Sequence, residues 1–256
     1  MTRVLSGVVL AAAALAAILY LPPLGMRIIV SLIAGLAAFE YLALIGMTES
    51  RGRPGFVFLA GLTAWQLSAG GSVHVVPLTA MLMAGFFAVF WKQTSAQQAI
   101  LGAFSLLYIG IPLGLLAIVN IVHGWRATVL MIATVVVSDS LQYYTGRALG
   151  RHKLAPAISP KKTIEGAIGG VVAGTLFMVF AGPFVFPAYS WAWLAVLGLV
   201  MVVLGIMGDL FESRLKREAN VKDSSSLIPG HGGVLDRIDA LLFVIPAFAL
   251  ALGVVK

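Results

Sequence analysis

Long runs of apolar residues alternate with short polar segments along almost the whole chain. An apolar run of about 20 residues, within a range of roughly 17–25, can cross a bilayer as an α-helix. The pattern therefore predicts membrane-spanning helices over 4–21, 26–46, 55–70, 75–91, 99–122, 127–144, 164–186, 190–207 and 238–255. The predicted fold class is all-α, a polytopic integral membrane protein with about nine transmembrane helices.

Composition supports a chain that faces lipid. Hydrophobic residues make up 60% of the 256 residues, against roughly 45–50% in ordinary globular proteins. Charged residues make up 11%, against a usual share of about 25%. Charge this sparse excludes a water-soluble enzyme and a disordered tail. The absence of cysteine excludes a disulfide scaffold and a thiolate metal site.

The distribution of Lys and Arg predicts the orientation of these helices. If the N-terminus and the even-numbered loops share one side, that side holds fourteen of the seventeen basic residues. Cytoplasmic loops carry such an excess, so the N-terminus and the charged loops are predicted to be cytoplasmic, in a bacterial inner (plasma) membrane. The net charge of +7 then reflects orientation and contact with anionic lipid, and no nucleic-acid partner is expected.

Charge is concentrated in the second half of the chain. Of the 27 charged residues, 18 lie between Asp139 and Asp239. No internal repeat or low-complexity linker is evident, so we predict a single membrane domain over 1–256. Within it, 1–125 is interpreted as hydrophobic scaffold helices and 126–256 as the half that carries the chemistry. Its polar chemistry falls on two cytoplasmic loops, 145–163 and 208–237.

The first polar loop follows an acid that lies inside a predicted span. A carboxylate there costs roughly 2.5–3.5 kcal/mol on insertion scales, so Asp139 is a candidate functional residue facing a polar cavity. The alternative is a structural partner for a buried base or hydroxyl. Ser159 and Pro160 resemble an N-cap followed by proline at the first helical position. Lys161 and Lys162 would then lie in a first helical turn, where they could bind an anion or simply serve as an orientation signal.

The second polar loop begins with a predicted helical extension of the eighth span. Spacings of 3, 4, 7, 8 and 11 residues from the first member place one set of polar residues on a single helical face: Asp209, Glu212, Ser213, Lys216, Arg217 and Asn220. A solvated face with salt bridges is the alternative interpretation. Serines, a proline and glycines follow, and such a stretch leaves backbone N–H groups free. Asp236 and Asp239 then open the ninth span on one face.

Together these residues fit metal-assisted phosphate chemistry. Mg²⁺ binds through one or two carboxylates plus substrate phosphates, and lysines, arginines and free amides suit a triphosphate. The P-loop pattern GxxxxGK[ST] and the zinc pattern HExxH do not occur. His231 has no second histidine nearby, so a zinc hydrolase is not expected.

The run from Ser213 to Asp239 resembles a known family pattern. The pattern of the phosphatidate cytidylyltransferase (CDP-diacylglycerol synthase) family is S-x-φ-K-R-x4-K-D-x-small-x2-φ-P-x-H-G-G-φ-x-D-R-φ-D, with φ apolar, and every specified position matches. The segments GDLFES and ISPKKTIEG also look like family segments. The resemblance covers roughly residues 135–240.

The resemblance implies a reaction in which CTP and phosphatidate give CDP-diacylglycerol and pyrophosphate. It implies Mg²⁺ as cofactor, with a second cation left open, and CTP, phosphatidate and the bilayer as partners, with a homodimer also left open. The expected catalytic residues are Asp209, Lys222, Asp223, Asp236 and Arg237. The expected substrate-binding residues are Asp139, Lys161, Lys162, Ser213, Lys216, Arg217, His231, Gly232 and Gly233. For the metal, Asp209 and Asp236 are the expected principal ligands, with Asp223 and Asp239 supporting.

Three other functions stay open from the residues alone. A related CTP-dependent lipid nucleotidyltransferase or a polyprenol kinase would keep the nucleotide site and change the acceptor lipid. A CDP-alcohol phosphotransferase is disfavoured because its DGxxAR…GxxxD pattern does not occur. A transporter would need polar residues along several spans, whereas the charges well inside the predicted spans, away from their ends, are limited to Glu40 and Asp139.

The predicted orientation can be tested by thiol labelling, because the chain has no native cysteine. Ser159→Cys and Ser225→Cys should both react with an impermeant maleimide from the cytoplasmic side only. Labelling of the two positions from opposite sides would contradict a shared site.

Overall fold

A computed structural model describes residues 2–48, 50, 52–91, 94–228, 230 and 232–254, with side chains from residue 6 onward. Helices account for most of these residues, so the prediction of a mainly helical protein is confirmed, and a short two-stranded hairpin departs from the predicted all-α class. The helices of the first half follow the predicted apolar runs closely: α1 (Thr2–Tyr20), α2 (Pro23–Leu44), α3 (Arg53–Ser68), α4 (Val75–Phe90) and α5 (Ala96–Ser105).

The fifth and sixth predicted runs form one continuous helical segment with a sharp break. Helix α5 passes through a π-helical turn, Leu106–Gly110, into α6 (Ile111–Leu149). Gly124 interrupts α6 with φ 77° and ψ 171°, a conformation that glycine adopts without strain. Across the break, Asn120 Nδ2 donates to Thr128 Oγ1 at 3.3 Å, although eight residues of straight helix would rise about 12 Å. The break therefore separates the two predicted runs at 99–122 and 127–144.

A two-stranded hairpin replaces the helix start predicted at Ser159. Strand β1 (Lys153–Ala155) pairs antiparallel with β2 (Ser159–Thr163). The prediction that Lys161 and Lys162 occupy a first helical turn is therefore wrong. The residue that caps the next helix is Thr163, whose Oγ1 accepts a hydrogen bond from the Gly166 amide at 3.1 Å. A proline is tolerated in an edge strand as well as at a helix start, so Pro160 could not distinguish the two.

The remaining helices are α7 (Ile164–Ala181), α8 (Trp191–Glu218) and α9 (Leu235–Ala251), with a short 3₁₀ turn at Gly182–Phe184. Helix α8 continues well past residue 207, where the predicted span ends, so the predicted helical extension from Asp209 is confirmed through Arg217. Asn220 does not belong to that face, because the helix ends at Glu218 and Asn220 has φ 56°.

Four described helical segments are long and apolar enough to cross a membrane: Pro23–Leu44, Ala96–Leu149, Ile164–Phe184 and Trp191–Glu218. Two clusters of buried apolar side chains hold the helices together. The first cluster contains side chains of helices α2 through α5 and of the start of α6. The second contains side chains of the rest of α6 and of α7, α8 and α9. Helix α9 contributes to both clusters, and this places its N-terminus beside α2 and α8.

Close helix contacts through glycine bring the polar ends together. A Cβ atom on Gly166 of α7 would lie 2.7 Å from the Gln142 carbonyl oxygen of α6. A Cβ atom on Gly208 of α8 would lie 2.6 Å from the Asp239 carbonyl oxygen of α9. Because backbone cannot move aside as a flexible side chain can, both positions require glycine for these helices to approach as they do.

This packing predicts a specific effect of a single methyl group. Gly166→Ala should lower the thermal stability by roughly 1–3 kcal/mol, as overpacking does in close-packed interiors. Gly85→Ala is the matched control, since a Cβ atom there meets nothing within 4 Å in the middle of α4. The measurement is the melting temperature in detergent, and equal melting temperatures for the two variants would contradict the close α6–α7 contact.

Candidate active site

A partly open cavity of about 350 Å³ lies where the C-terminal end of α6, strand β2 and the polar part of α8 meet. Its lining combines acidic, basic and neutral polar side chains: Asp139, Gln142, Tyr143, Gly146, Arg147, Lys161, Lys162, Thr163 and Asp209. The volume lies within the usual range for ligand pockets, roughly 300–1,000 Å³. Four of the sequence-predicted site residues therefore share one cavity.

An ion pair between the hairpin and α8 forms one wall of this cavity. The Lys162 ammonium pairs with Asp209 Oδ2, and 14% of the Lys162 side chain is exposed. Ser213 Oγ, one turn further along α8, donates to Asp209 Oδ1 at 3.2 Å. Lys161, the neighbour of Lys162, also lines the cavity and is exposed. Both lysines therefore line the cavity from strand β2, and not from the first turn of a helix as predicted.

Three aspartates from three different helices approach one another beside Lys162. Asp139 of α6, Asp209 of α8 and Asp239 of α9 are close enough that their carboxylates interact electrostatically. Such repulsion is tolerated when cations neutralise it, and Lys162 supplies one positive charge near Asp139. The sequence paired Asp209 with Asp236 as principal metal ligands and gave Asp239 a supporting part. In the structure, it is Asp239 that interacts with Asp209.

A buried lysine joins α8 to the start of α9. Lys216 Nζ pairs with Glu212 on its own helix and with Asp236 Oδ1, the latter at 2.6 Å. Glu212 is fully buried, and 12% of the Lys216 side chain is exposed. Breaking such a pair by removing one partner is costly because it leaves an uncompensated buried charge. Lys216 therefore joins α8 to α9, and its predicted part in substrate binding stays a prediction.

Asp236 organises the loop between α8 and α9. Its Oδ2 accepts hydrogen bonds from the Ser224 amide, the Ser224 hydroxyl and the Gly233 amide, each at 2.8 Å. Burial alone raises the pKa of this carboxyl, but the Lys216 ammonium and these donors outweigh it and hold the pKa at about 2. Both Asp236 oxygens are therefore engaged in this conformation, and its predicted part as a principal metal ligand stays a prediction.

The other predicted residues of the α8–α9 loop take varied positions. Gly232 has φ 78° and accepts a hydrogen bond from the Ile228 amide through its carbonyl, while Gly233 is buried. His231 lies outside the described residues. Besides Asp236, three charged residues of the predicted catalytic set lie in this loop or at the start of α9. All three are exposed and do not line the cavity: Lys222, Asp223 and Arg237.

Arg217 contacts the hairpin. Its Nε donates to the Ile158 carbonyl at 3.2 Å and one terminal nitrogen donates to the Val221 carbonyl at 3.3 Å. The first bond connects the end of α8 to the turn before β2, and the second stays within the segment that follows α8. Its predicted part in substrate binding stays a prediction.

Sequence reasoning missed several residues of the cavity wall. Tyr143 and Arg147 lie four and eight positions after Asp139, on the same face of α6. The spacing from Asp139 would therefore have predicted both residues in the wall. The position of Thr163 could not be predicted from the sequence, because it depends on the hairpin.

The donor set can be judged for a divalent cation. Carboxylates of Asp139, Asp209 and Asp239 are the hard oxygen ligands that Mg²⁺ prefers, and their mutual repulsion favours a cation. Within the part of the chain that the structure describes, no group of three or more histidine, aspartate or glutamate side chains is placed so that it could hold a metal ion. Mg²⁺ usually completes its shell with water and substrate phosphates, so a site with fewer protein ligands would need the nucleotide, and the predicted Mg²⁺ stays a prediction.

Comparisons with known proteins point to one family. The profile described as "Cytidylyltransferase family" matches residues 1–255. The chain is 34% identical to a Bacillus subtilis protein named phosphatidate cytidylyltransferase, over 98% of this chain and 97% of the relative. It is 42% identical to a Haemophilus influenzae protein of the same name, over 50% of this chain but less than half of that relative, 46%.

A third relative carries no activity in its name. It is the Escherichia coli protein "Uncharacterized protein YnbB", 33% identical over 85% of this chain and 76% of the relative. The family match covers nearly the whole chain and includes both polar loops. The protein belongs to the cytidylyltransferase family.

Proposed function

We propose that the protein transfers the cytidylyl group of CTP to phosphatidate, giving CDP-diacylglycerol and pyrophosphate. The observation that carries this proposal is the cavity that joins Lys162 and Asp209 at the ends of long apolar helices. A soluble triphosphate can reach such a site from water, while a lipid acceptor keeps its acyl chains in the bilayer.

The basic side chains of the cavity wall suit the triphosphate. Arg147, Lys161 and Lys162 line the same cavity, and charge-assisted hydrogen bonds from such groups to phosphate are stronger than those between neutral groups. Arg147 adds a planar donor set that matches phosphate oxygens, whereas each lysine acts as a point charge. These three cations would neutralise the charge that builds on the departing pyrophosphate.

The chemistry asks little of the protein beyond positioning and charge. An oxygen of the lipid phosphate forms a bond to the α-phosphorus of CTP. The bond from that phosphorus to the bridging oxygen breaks, and its electron pair leaves with pyrophosphate. The lipid phosphate is already ionised near neutral pH, as phosphate monoesters are. A strong general base is therefore not required.

Mg²⁺ is the proposed cofactor. Asp209 is the residue best placed to hold it, with Asp139, because both line the cavity, and Asp239 would support them. Asp236 does not line the cavity, and its oxygens are engaged by Lys216 and the loop. A bound Mg²⁺ supplies charge stabilisation to phosphoryl oxygens.

The membrane arrangement belongs to the same proposal. We infer that the apolar helices cross a bacterial inner membrane about nine times, with the N-terminus and the cavity on the cytoplasmic side. The names of the Bacillus subtilis and Haemophilus influenzae relatives support the phosphatidate assignment. The YnbB relative supports only the family.

The decisive experiment is turnover by purified protein in lipid nanodiscs, with labelled CTP, Mg²⁺ and either phosphatidate or a polyprenol or polyprenyl phosphate. We expect label in CDP-diacylglycerol with phosphatidate and none with the isoprenoid acceptors. Transfer to an isoprenoid acceptor alone would replace phosphatidate as the substrate while keeping the nucleotide chemistry.

The ion pair at the cavity wall generates a prediction for CTP binding. Lys162→Ala should raise the KM for CTP by roughly tenfold, because it removes a largely buried positive charge from the cavity wall that would face the triphosphate. Lys153→Ala, on the neighbouring strand and exposed, is the control and should leave the kinetics unchanged. Unchanged kinetics for both substrates in the Lys162 variant would reduce Lys162 to an orientation signal.

Replacing single carboxylates separates metal binding from loop architecture. Asp209→Asn keeps an acceptor for Ser213 but loses the charge that a hard cation needs, so turnover should fall by roughly a hundredfold or more and the half-maximal Mg²⁺ concentration should rise. Asp236→Asn removes one of the two charged partners of Lys216. In this variant the melting temperature should fall in addition to the turnover. A wild-type rate and Mg²⁺ dependence for Asp209→Asn would place the metal elsewhere.

A further inference from the structure

Glu40 is a buried acid in an otherwise apolar helix. It lies near the C-terminal end of α2, and only 3% of its surface is exposed. It does not line the cavity. A carboxylate buried beside apolar helices is costly unless hydrogen-bond donors or a cation meet it. The described side chains place no Lys, Arg or His within ion-pair distance of it.

Donors from both ends of the segment 224–235, the second part of the α8–α9 connection and the first residue of α9, contact this carboxylate. Ser225 Oγ donates to Glu40 Oε1 at 2.7 Å, and Ser224 Oγ lies 3.0 Å from Oε2. The Val234 amide donates to Oε1 at 3.0 Å and the Leu235 amide donates to Oε2 at 2.7 Å. The sequence separation from Glu40 is 184 to 195 residues. The Glu40 side chain, in the first half of the chain, therefore holds together two parts of a loop in the second half.

The two amides give these contacts a defined electrostatic character. Val234 and Leu235 are the N-cap and first residue of α9, where unpaired amides and the helix dipole attract negative charge. Glu40 thus provides from another helix the capping that α9 does not make with its own N-cap side chain. The carboxylate also stabilises the exact point at which the chain enters α9.

Asp236 and Glu40 are coupled through shared partners. The Ser224 hydroxyl lies within hydrogen-bond distance of both carboxylates. A Cβ atom on Gly233 would collide with the Ser224 hydroxyl and with both Glu40 oxygens. Glycine at 233 is therefore what allows the loop to reach Glu40.

We propose that Glu40 is a positioning residue, whose carboxylate fixes both ends of the 224–235 loop and thereby holds the first turn of α9, with Asp236 and Asp239, against α8. It does not touch substrate. Its effect reaches the site through Asp236, which contacts Lys216, and through Asp239, whose backbone packs against Gly208, the neighbour of Asp209.

The test pairs an activity-independent measurement with kinetics. Hydrogen–deuterium exchange in nanodiscs reports the amides of Val234 and Leu235 in wild type, Glu40→Ala, Glu40→Gln and the control Tyr41→Phe. Tyr41 is the buried neighbour of Glu40, and its hydroxyl donates to the Leu101 carbonyl, away from the loop. Peptides covering residues 151–165 serve as an internal reference for the hairpin.

For Glu40→Ala we expect exchange in the 224–240 region to rise by roughly tenfold or more, since buried acceptors of these amides are lost. Exchange in the hairpin should not change. The kcat should fall by roughly tenfold while the KM for CTP stays within about threefold, because the cavity wall is intact. Glu40→Gln keeps an acceptor oxygen and should restore part of both losses, and Tyr41→Phe should resemble wild type.

The proposal would be overturned if the 224–240 amides of Glu40→Ala exchanged at the wild-type rate. An unchanged kcat would overturn it as well. So would equal increases in exchange throughout the chain, which indicate a general stabilising role. If Glu40→Ala does not fold, Glu40→Gln and Ser225→Ala must show the same pattern at smaller amplitude, and its absence overturns the proposal. The kinetic arm rests on the proposed function, whereas the exchange arm does not, so failure of wild-type turnover with phosphatidate would leave the exchange result to decide.

Discussion

Burying charge beside apolar helices is costly unless an opposite charge or a set of donors meets it, and this constraint shapes the polar end of the molecule. Lys216 lies between Glu212 and Asp236, Lys162 pairs with Asp209, and Glu40 accepts hydrogen bonds from the 224–235 loop. Each arrangement joins elements that are distant in sequence. The apolar helices give the molecule its bulk, and these contacts fix how their polar ends meet.

The same constraint explains why a membrane enzyme of this family can work at the ends of helices. Under the proposed function, a cavity at the membrane surface would be close both to water, from which CTP arrives, and to lipid, where an acceptor with acyl chains resides. Close contacts at Gly166 and Gly208 bring these helix ends within reach of one another. The membership in the cytidylyltransferase family and this geometry support the same proposed chemistry.

Sequence reasoning succeeded where a local pattern determines the structure. The apolar runs predicted the helices, and the 3.6-residue period predicted the polar face from Asp209 to Arg217. It failed at Ser159–Thr163, because serine, proline and threonine suit both an edge strand and a helix start. Pairing with Lys153–Ala155 decided in favour of the strand, and a pairing partner is not visible in the local pattern.

For the site, the sequence by itself determined the chemical inventory: the family motif, the concentration of charge after Asp139 and the candidate residues for binding phosphate and a metal. The tertiary structure decided how these residues combine. It set Asp236 against Lys216 and Ser224, grouped Asp239 with Asp209 and Asp139, and brought Glu40 to the start of α9. The physical reason is that pattern and composition act over a few residues, whereas the pairing of buried charges depends on which helix ends meet after the apolar surfaces have packed.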